Sequence, residues 1–311
     1  MGILKAIVDL LLAPFRFLMG LLGIGSSGNR DSAGPKLTAA EKLNGRPVTQ
    51  TQSQTPDTGK FGPFPLQTKT IQLPTWNGKT TPADVYYPAG KGPFPVVLHS
   101  YGLASNKENH AGTASHYASW GMVVIVPRLP EGGDSPSENA KDLAHWVQWL
   151  QNSPPEMPAA LALERGVGLS GHSFGGLSSV LAGSTPGVGA VVALDPADAW
   201  GKGKEAAPQL NVPSAFIVGE PSMVNQFGNG LDIYEQAGGE KQAIRVKGAR
   251  HTDFENSHND GAKNAANQTA MRFAVGFMLH QLTGAPEYAA YAKGGKEVQA
   301  ETGKSISLPR G

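Results

Sequence analysis

The chain of 311 residues contains no cysteine, which excludes disulfides, cysteine-ligated metal and a cysteine nucleophile. Charge is also scarce and balanced, since 26 Lys and Arg oppose 25 Asp and Glu for a net charge of +1. A net charge this close to zero offers no attraction for nucleic acid or strongly acidic substrates, and we expect neither as a partner. No H-E-x-x-H or similar spacing of histidines is present, so the sequence implies no metal.

Residues 1–25 are apolar except for three charged residues, Lys5, Asp9 and Arg16. At about 100° per residue these charges fall within about 40° of one another on a helix, a pattern typical of a helix lying in a membrane interface. A membrane span is disfavoured because the charges and Pro14 fall within the ~20 residues that it needs. An export signal is the main alternative, although Asp9 interrupts its apolar region and no clear cleavage site follows. Residues 1–25 therefore predict a protein that is membrane-associated or exported to the cell envelope.

The rest of the chain divides by composition. Residues 26–60 are rich in Gly, Ser, Thr, Gln, Asn and Pro and are typical of a flexible linker. Residues 286–311 are polar and rich in Gly and Lys, which predicts a loosely ordered tail. One folded domain is expected over residues 61–285.

Within residues 61–285, apolar strand patterns alternate with helical ones. This alternation predicts the α/β class: a mostly parallel twisted sheet with helices on both faces. The first two strands are expected to form a hairpin and an antiparallel N-terminal edge. The predicted strands are 68–73, 83–87, 95–99, 122–126, a strand leading to residue 171, 190–194, 213–218 and 242–246, and the predicted helices are 113–120, 137–151, 177–182, 231–236 and 262–282.

The sequence is organised around Gly171-His172-Ser173-Phe174-Gly175. An apolar strand precedes this segment and a helix of small residues follows it, which is the context of a G-x-S-x-G nucleophile elbow. Such a turn holds the serine in a strained conformation with its hydroxyl directed into a cleft, and a Cβ at either flanking glycine would collide with the neighbouring chain. Because the chain has 40 glycines, the five-letter match carries little weight without this context. We predict Ser173 as a nucleophile.

A serine hydroxyl needs a base, usually a histidine oriented by a carboxylate. In this arrangement the acid and the histidine follow the serine along the chain. His251 lies in a loop directly after the last apolar strand and is the predicted base. His258, in a polar loop, is the alternative, and His280 falls inside the final helix, where a structural role is expected.

The acid is predicted to be Asp195, which directly follows the strand 190–194. Asp198 and Glu220 are the alternatives. Many hydrolases of this kind carry the acid one strand later, but that strand is followed here by Glu220 and by no aspartate. A carboxylate at the end of a buried strand can reach the histidine loop at the same edge of the sheet.

A negative charge that develops on a substrate oxygen needs preorganised N–H donors. The backbone N–H of Phe174, directly after the nucleophile, is one predicted donor. The backbone N–H of Leu103 is the second, since Gly102 allows a tight turn after the strand ending at His99. Tyr101 would then lie beside the substrate, and His172, in the variable position of the elbow, is a further candidate near the pocket.

Residues 61–285 resemble the α/β-hydrolases, and within them the branch of platelet-activating-factor acetylhydrolases, chlorophyllases and cutinase-like polyester hydrolases. Four segments carry the resemblance. They are Ser100-Tyr-Gly-Leu103, with Tyr101 where the branch usually has His, Gly171-His-Ser-Phe-Gly-Gly176, Ala193-Leu-Asp-Pro196 and Lys247-Gly-Ala-Arg-His251. The resemblance implies the α/β-hydrolase fold and a carboxylic ester hydrolase without cofactor. It also implies an acyl-enzyme on Ser173, and it agrees with Asp195 as the acid.

We therefore expect a serine esterase or lipase-like enzyme acting on a hydrophobic or lipid-like ester, because residues 1–25 would bring the site to a membrane surface. A serine-dependent amidase or thioesterase is the alternative, since the same three residues serve those reactions. A non-catalytic binding protein that keeps the fold is a third hypothesis, which the presence of Ser173, Asp195 and His251 disfavours.

Overall fold

The computed structural model describes residues 55–152 and 154–309. A compact unit begins at Pro56. The expected interfacial helix or export signal over residues 1–25, and the predicted linker up to residue 54, lie outside the described residues.

The described residues contain ten strands: β1 Leu66–Pro74, β2 Thr80–Pro88, β3 Phe94–Ser100, β4 Val123–Pro127, β5 Leu161–Ala162, β6 Val167–His172, β7 Val188–Leu194, β8 Ser214–Val218, β9 Lys241–Val246 and β10 Ile306–Ser307. They form one sheet in the order β1-β2-β4-β3-β6-β7-β8-β9-β10, and β5 pairs with β3 beside this path. The predicted strands are all present, each within a few residues of its predicted bounds.

The sheet is parallel from β4 through β3, β6, β7 and β8 to β9. As predicted, β1 and β2 form an antiparallel hairpin, and β2 adds antiparallel to β4 at the N-terminal edge. At the opposite edge β10 runs antiparallel to β9, an addition that the sequence analysis missed. Parallel central strands place their carboxyl ends at one edge of the sheet, and the functional loops leave from that edge.

Seven α-helices occur in the described part of the chain: α1 Ala111–Ser119, α2 Pro136–Gln151, α3 Phe174–Ala182, α4 Lys202–Ala206, α5 Gly230–Gln236, α6 Ala265–Thr283 and α7 Lys296–Glu301. Alternate strand residues face opposite sides of the sheet. Val124 and Val192 join the cluster formed by α1 and α6, whereas α3 packs against β6 and β7 beside α2. The helices therefore cover both faces, as predicted for the α/β-hydrolase fold.

The prediction of a loosely ordered tail over residues 286–311 was wrong. Residues 286–291 form a 3-10 turn, α7 and β10 follow, and Tyr291, Val298 and Ile306 are buried in the core. The ring of Tyr291 lies against Gly276 of α6, where an added Cβ would come within 2.3 Å of it. The polar composition misled the analysis because three apolar anchors, widely spaced in the sequence, are enough to fix this segment.

The linker predicted over residues 26–60 also extends too far towards the C-terminus. Thr58 is buried, and its hydroxyl donates a hydrogen bond of 2.6 Å to the carbonyl of Arg272 in α6. The hydroxyl of Tyr291 donates to the carbonyl of Pro56. The folded domain therefore starts at about Pro56, five residues before the predicted boundary, and includes the C-terminal segment.

Candidate active site

Ser173 occupies the sharp turn between β6 and α3, with φ 56° and ψ −123°. A non-glycine residue at positive φ is strained, and such strain concentrates at functional sites. Glycines on either side make the turn possible. A Cβ on Gly171 would lie 2.3 Å from the carbonyl oxygen of Gly175, and one on Gly175 would lie 2.3 Å from that of Ser100. The structure therefore confirms that a side chain at either flanking glycine would collide with the neighbouring chain, as the sequence predicts.

The loop after β3 passes directly over the nucleophile. A Cβ on Gly102 would come within 2.7 Å of the Cβ of Ser173 and 3.1 Å of the amide nitrogen of Phe174. This approach brings the neighbourhood of Leu103 to the start of α3. The two predicted N–H donors thus belong to segments that meet at Ser173, and their role as an oxyanion hole stays a prediction.

The structure brings Asp195 and His251 together. Asp195 follows β7 and His251 follows β9, and Nδ1 of His251 donates to Oδ2 of Asp195 at 2.6 Å. Both side chains are buried. With Nδ1 carrying the proton, Nε2 of a neutral His251 is left with the lone pair that a general base needs.

Two further donors hold the Asp195 carboxylate. Oδ1 accepts from the backbone N–H of Gly219 at 2.9 Å, and the side-chain amide of Asn225 lies 3.2 Å from both carboxylate oxygens. Burial alone would raise the pKa of Asp195, but the hydrogen bond and charge of His251, together with the Gly219 N–H, keep the pKa below its usual value. Asn225 was missed by the sequence analysis, because nothing in its local pattern distinguishes it from other loop asparagines.

The alternative residues are occupied elsewhere. The carboxylate of Asp198 accepts from the N–H groups of Gly203 and Lys204 at the start of α4, and Glu220 accepts from Gly248 N–H at the surface. His258 is exposed, and His280 lies within α6. Asp195 and His251 are therefore the acid and the base that the geometry favours.

Tyr101 does not lie as expected. Its side chain is 4% exposed, and its hydroxyl accepts a hydrogen bond of 2.8 Å from Leu129 N–H. The hydroxyl is thus committed to the backbone and is not free to face a substrate, while the ring stacks on His110 at 6.4 Å between centroids. Tyr101 anchors the loop that carries Gly102 instead of lining a pocket.

His172 is 2% exposed and lies behind His251, with 4.4 Å between the two ring centroids. Its Nδ1 is 3.3 Å from Oε1 of Glu255, although neither ring nitrogen makes a hydrogen bond of good geometry within the described residues. His110 approaches the same carboxylate oxygen at 3.9 Å. Donor atoms of these three residues all lie within 4.8 Å of one another, so the cluster is the place among the described residues where a small cation could bind.

Three large apolar side chains are exposed on loops that leave the same edge of the sheet as the turn of Ser173. Trp200, Met223 and Phe227 are 49%, 58% and 72% exposed, and they lie on the loops that follow β7 and β8. We call these three side chains the apolar rim. The ring of Trp200 is 6.0 Å from that of Phe174, the residue after the nucleophile.

The backbone of the rim is strained. In the described chain, the non-glycine residues with positive φ all lie in the loops around the site: Ala104, Ser173, Asp195, Trp200, Gln226 and Phe227. The two rim loops are tied to each other, since Asp198 N–H donates to the side-chain oxygen of Asn229 and the Asn229 amide donates back to Asp198 carbonyl, both at 2.9 Å. Strain of this kind persists only where the surroundings over-determine the conformation.

A mostly parallel sheet that delivers a strained serine from one strand end and a carboxylate–imidazole pair from two others defines an α/β-hydrolase. Within that class the sequence profile described as Chlorophyllase matches residues 55–267, a range that includes the elbow, Asp195 and His251. The chain belongs to the chlorophyllase family.

Curated relatives agree with this assignment. Chlorophyllase-1, chloroplastic, of Citrus sinensis is 30% identical over 203 residues, which cover 61% of this chain and 58% of the relative. Chlorophyllase-2 of Arabidopsis thaliana is 27% identical over 159 residues, 46% of this chain and 49% of the relative. The similarity thus spans about half the length of these relatives.

None of the helices in the described part of the chain combines the length and the apolar composition that a membrane crossing requires.

Proposed function

We propose that this protein hydrolyses carboxylic esters, with Ser173 as nucleophile, His251 as general base and Asp195 as the residue that orients His251. The observation that carries the proposal is the buried 2.6 Å hydrogen bond between Asp195 and His251, formed at the same edge of the sheet as a serine in the strained elbow conformation. Membership of the chlorophyllase family supports the same class of reaction.

In the first half of the reaction, Nε2 of His251 takes the proton of the Ser173 hydroxyl while the oxygen attacks the ester carbonyl. The backbone N–H groups of Leu103 and Phe174 donate hydrogen bonds to the carbonyl oxygen and stabilise the negative charge that develops on it. The imidazolium then gives its proton to the departing alcohol as the ester bond breaks, leaving an acyl group on Ser173. Asp195 keeps the proton of His251 on Nδ1 throughout, so that the same lone pair is available for each transfer.

In the second half, water takes the place of the alcohol. His251 removes a proton from the water, the resulting oxygen attacks the acyl-enzyme, and the proton passes to Ser173 as the acid product leaves. No cofactor is needed for either half, since every proton and electron pair is exchanged between the ester, water and these side chains.

The substrate we propose is an ester with a large apolar group. The apolar rim supports this proposal, because the ring of Trp200 lies 6.0 Å from that of Phe174, the residue after the nucleophile, and exposed apolar side chains would be covered by the apolar part of a bound substrate. Burial of one such side chain contributes about 1.5–3 kcal/mol. The names of the relatives make chlorophyll one ester to include among the substrates tested.

We further propose that residues 1–25 hold the enzyme at a membrane surface. The single stripe of charge formed by Lys5, Asp9 and Arg16 supports this. Flotation of the full-length protein with phospholipid vesicles tests it. Leu11→Glu, on the apolar side of the stripe, is expected to abolish flotation, and unchanged flotation of this variant would contradict the proposal.

The reaction itself is tested with a fluorophosphonate probe on the wild type and Ser173→Ala, beside p-nitrophenyl esters of increasing acyl length. We expect labelling and turnover in the wild type and neither in Ser173→Ala. Matched amide and thioester substrates separate esterase activity from its alternatives. A wild-type protein that takes no label and cleaves no ester would overturn the proposal and favour a binding protein.

A further inference from the structure

A carboxylate outside the acid–base pair is enclosed without a cationic side chain beside it. Glu255 follows the 3-10 turn His251–Phe254, and only 14% of its side chain is exposed. Within the described residues its ionic partners are the imidazoles of His172 and His110, and no lysine or arginine nitrogen lies within 4.0 Å of its carboxylate. Buried charges in proteins are paired or coordinate metals. Glu255 therefore lacks the counter-charge that its position requires.

His172 brings unused nitrogen atoms to this carboxylate. It is the last residue of β6 and is 2% exposed, and neither of its ring nitrogens makes a hydrogen bond with a described residue. Its Nδ1 nevertheless lies 3.3 Å from Oε1 of Glu255. A buried polar group without a partner costs free energy, and a ligand on Nδ1 would offset that cost.

His110 directly precedes α1, and its ring is held from behind. Its Nδ1 is 2.9 Å from Nε2 of His99, whose Nδ1 is 3.2 Å from the hydroxyl of Ser170. In the tautomer in which Nδ1 of His110 donates to His99, Nε2 of His110 carries a lone pair. This nitrogen lies 3.9 Å from Oε1 of Glu255 and 3.4 Å from the hydroxyl of Ser105. Histidines that bind metals usually donate their other ring N–H to a neighbour in this way.

The separations between the three side chains fit a single transition-metal ion. Zinc binds imidazole nitrogen and carboxylate oxygen at about 2.0–2.2 Å in tetrahedral geometry, which places neighbouring donor atoms about 3.3–3.6 Å apart. Oε1 of Glu255 lies 3.3 Å from the His172 nitrogen and 3.9 Å from the His110 nitrogen, and all three donor atoms lie within 4.8 Å of one another. Small rotations of the two rings would bring their nitrogens to one ion. Calcium and magnesium prefer oxygen ligands, so two imidazoles and one carboxylate favour zinc.

We propose that His110, His172 and Glu255 form a binding site for one Zn²⁺ ion, with water as the fourth ligand. The ion enters past Glu255 and Ser105, which are partly exposed while both histidines are buried. The three ligands come from segments that are distant in the sequence, so no local spacing of histidines marks the site.

A bound ion would join the start of α1, the end of β6 and the segment after β9. Two of these segments already meet, because Gly112 N–H donates to the carbonyl of Asn256 at 2.8 Å. The ion adds the strand that leads into Ser173 to this contact, and we expect it to stabilise the fold. Zinc binding at this site does not depend on the proposed hydrolysis.

The first experiment titrates metal-free, full-length protein with ZnCl₂ in competition with a chromogenic chelator. We expect the wild type to bind one Zn²⁺ per chain. Glu255→Gln keeps the shape and removes the charged ligand, and it is expected to weaken binding at least about 100-fold, since loss of an outer partner alone costs about 10- to 100-fold. Asp260→Asn, the same change of charge at an exposed position in the same loop, should bind zinc as the wild type does. No binding by the wild type, or equal affinities of wild type and Glu255→Gln, would overturn the proposal.

A second pair of variants separates the buried site from histidines at the surface. His172→Phe keeps an aromatic ring, and it removes no hydrogen bond to a described residue, so we expect it to fold and to lose the zinc site. His258→Phe removes an exposed histidine instead and should bind zinc normally. Circular dichroism of the metal-free variants checks that both are folded. Loss of binding in His258→Phe with normal binding in His172→Phe would show an adventitious surface ion only and would overturn the proposal.

Two further measurements follow the ion directly. Co²⁺ bound in place of zinc should give the strong visible absorption of a tetrahedral site, because metal geometry follows the donor set. Zinc at about 100 times its dissociation constant should raise Tm of the wild type by about 5–10 °C and leave Tm of Glu255→Gln unchanged. A weak, octahedral-type Co²⁺ spectrum, or an equal rise of Tm in both proteins, would contradict the site. None of these measurements uses an ester, so a protein that binds zinc and cleaves no substrate would refute only the hydrolase proposal.

Discussion

Nδ1 of His251 lies 2.6 Å from Oδ2 of Asp195, although the two residues follow strands that are separated in the sheet by β8. The strand between them also takes part, because Gly219 directly after β8 donates its N–H to Asp195. The ends of three neighbouring strands therefore meet at one carboxylate. Mutations can test separately what this carboxylate contributes to catalysis and what its surroundings contribute to stability.

Two aspartates three residues apart should respond in opposite ways to the same change. Asp195→Asn removes the acceptor that fixes the tautomer of His251 and is expected to lower kcat about 10³- to 10⁴-fold with little change in KM. Asp198→Asn weakens the cap of α4 and should cost about 1 kcal/mol of unfolding free energy while kcat stays within about twofold of the wild type. Steady-state kinetics and urea unfolding of both variants check this. A larger loss of kcat in Asp198→Asn would move the acid to that residue.

Asn225 is expected to matter for both activity and stability. Its amide donates to Asp195 and to the carbonyl of Glu220, and its side-chain oxygen accepts from the N–H groups of Ser222 and Gly228. Asn225→Ala leaves these buried groups without partners, which costs about 1–3 kcal/mol. We expect a loss of stability of that size and a fall in kcat/KM of about tenfold. Asn211→Ala, in a surface loop, is the control for loss of a loop asparagine.

Substitutions of two glycines distinguish the effect of a steric collision at the site from the effect of an unfavourable backbone conformation. Gly102→Ala places a methyl group 2.7 Å from the Cβ of Ser173, so the loop must move away from the nucleophile. We expect kcat/KM to fall at least about 100-fold, the size expected when an oxyanion donor is displaced. Gly78→Ala meets no atom within 4 Å but has φ +80°, and it should cost about 1 kcal/mol of stability and no activity. Equal activity of the two variants would contradict the predicted oxyanion hole.

The apolar rim should set the preference for large substrates. Phe227 is 72% exposed at φ 57°, so Phe227→Gly removes strain and no core contact. It is expected to leave the protein at least as stable while lowering kcat/KM for long-chain p-nitrophenyl esters about tenfold more than for the acetate. Leu308→Ser, exposed to 50% near the C-terminal end, is the matched control. If both variants reduce all chain lengths equally, the rim does not bind the substrate.

Acid should unfold the domain through buried histidines. Burial lowers the pKa of both His110 and His116 to about 4 from an ordinary value of 6.5. Their contribution to stability is therefore complete above pH 6.5 and is lost as the pH falls to 4, by about 1.4 kcal/mol per pH unit for each histidine. His116 donates from Nε2 to the carbonyls of Thr58 and Lys60, and an amide can do the same. His116→Gln should make the dependence of unfolding free energy on pH shallower over this range, as chemical denaturation at several pH values would show. A slope equal to that of the wild type would mean that His116 does not titrate on unfolding.

Residues that lie within a recognisable local sequence pattern could be predicted from the sequence. The elbow at Ser173 has its own strand, turn and helix, and the order of strands was enough to bring the loops of Asp195 and His251 to one edge. Their mutual contact follows from sheet topology, which alternating apolar strands encode. Asp195 was preferred over Asp198 and Glu220 because it directly follows a buried strand and no aspartate follows the next one, and the family resemblance agreed with that choice.

Residues that act through tertiary contacts could not be predicted. Asn225 is 30 positions from Asp195, and Glu255 is 83 positions from His172, so no periodicity connects either pair. The prediction of a loosely ordered tail over residues 286–311 was wrong for a related reason. The polar segment around Tyr291 is ordered by contacts with Gly276 and Pro56, which are remote in sequence. Composition describes what a segment contains and cannot report which cavity in the domain receives its few apolar residues.

The reciprocal hydrogen bonds between Asp198 and Asn229 have an evolutionary consequence. They fix the backbone of both rim loops from the inside, while Asn225 joins the same loops to Asp195. The side chains of Trp200, Met223 and Phe227 point outward from this frame and contribute little to holding it. If the rim binds the substrate as proposed, descendants of this gene can exchange those three side chains, and with them the preferred ester, while inheriting the hydrogen bonds between Asp195, Asn225 and His251 unaltered.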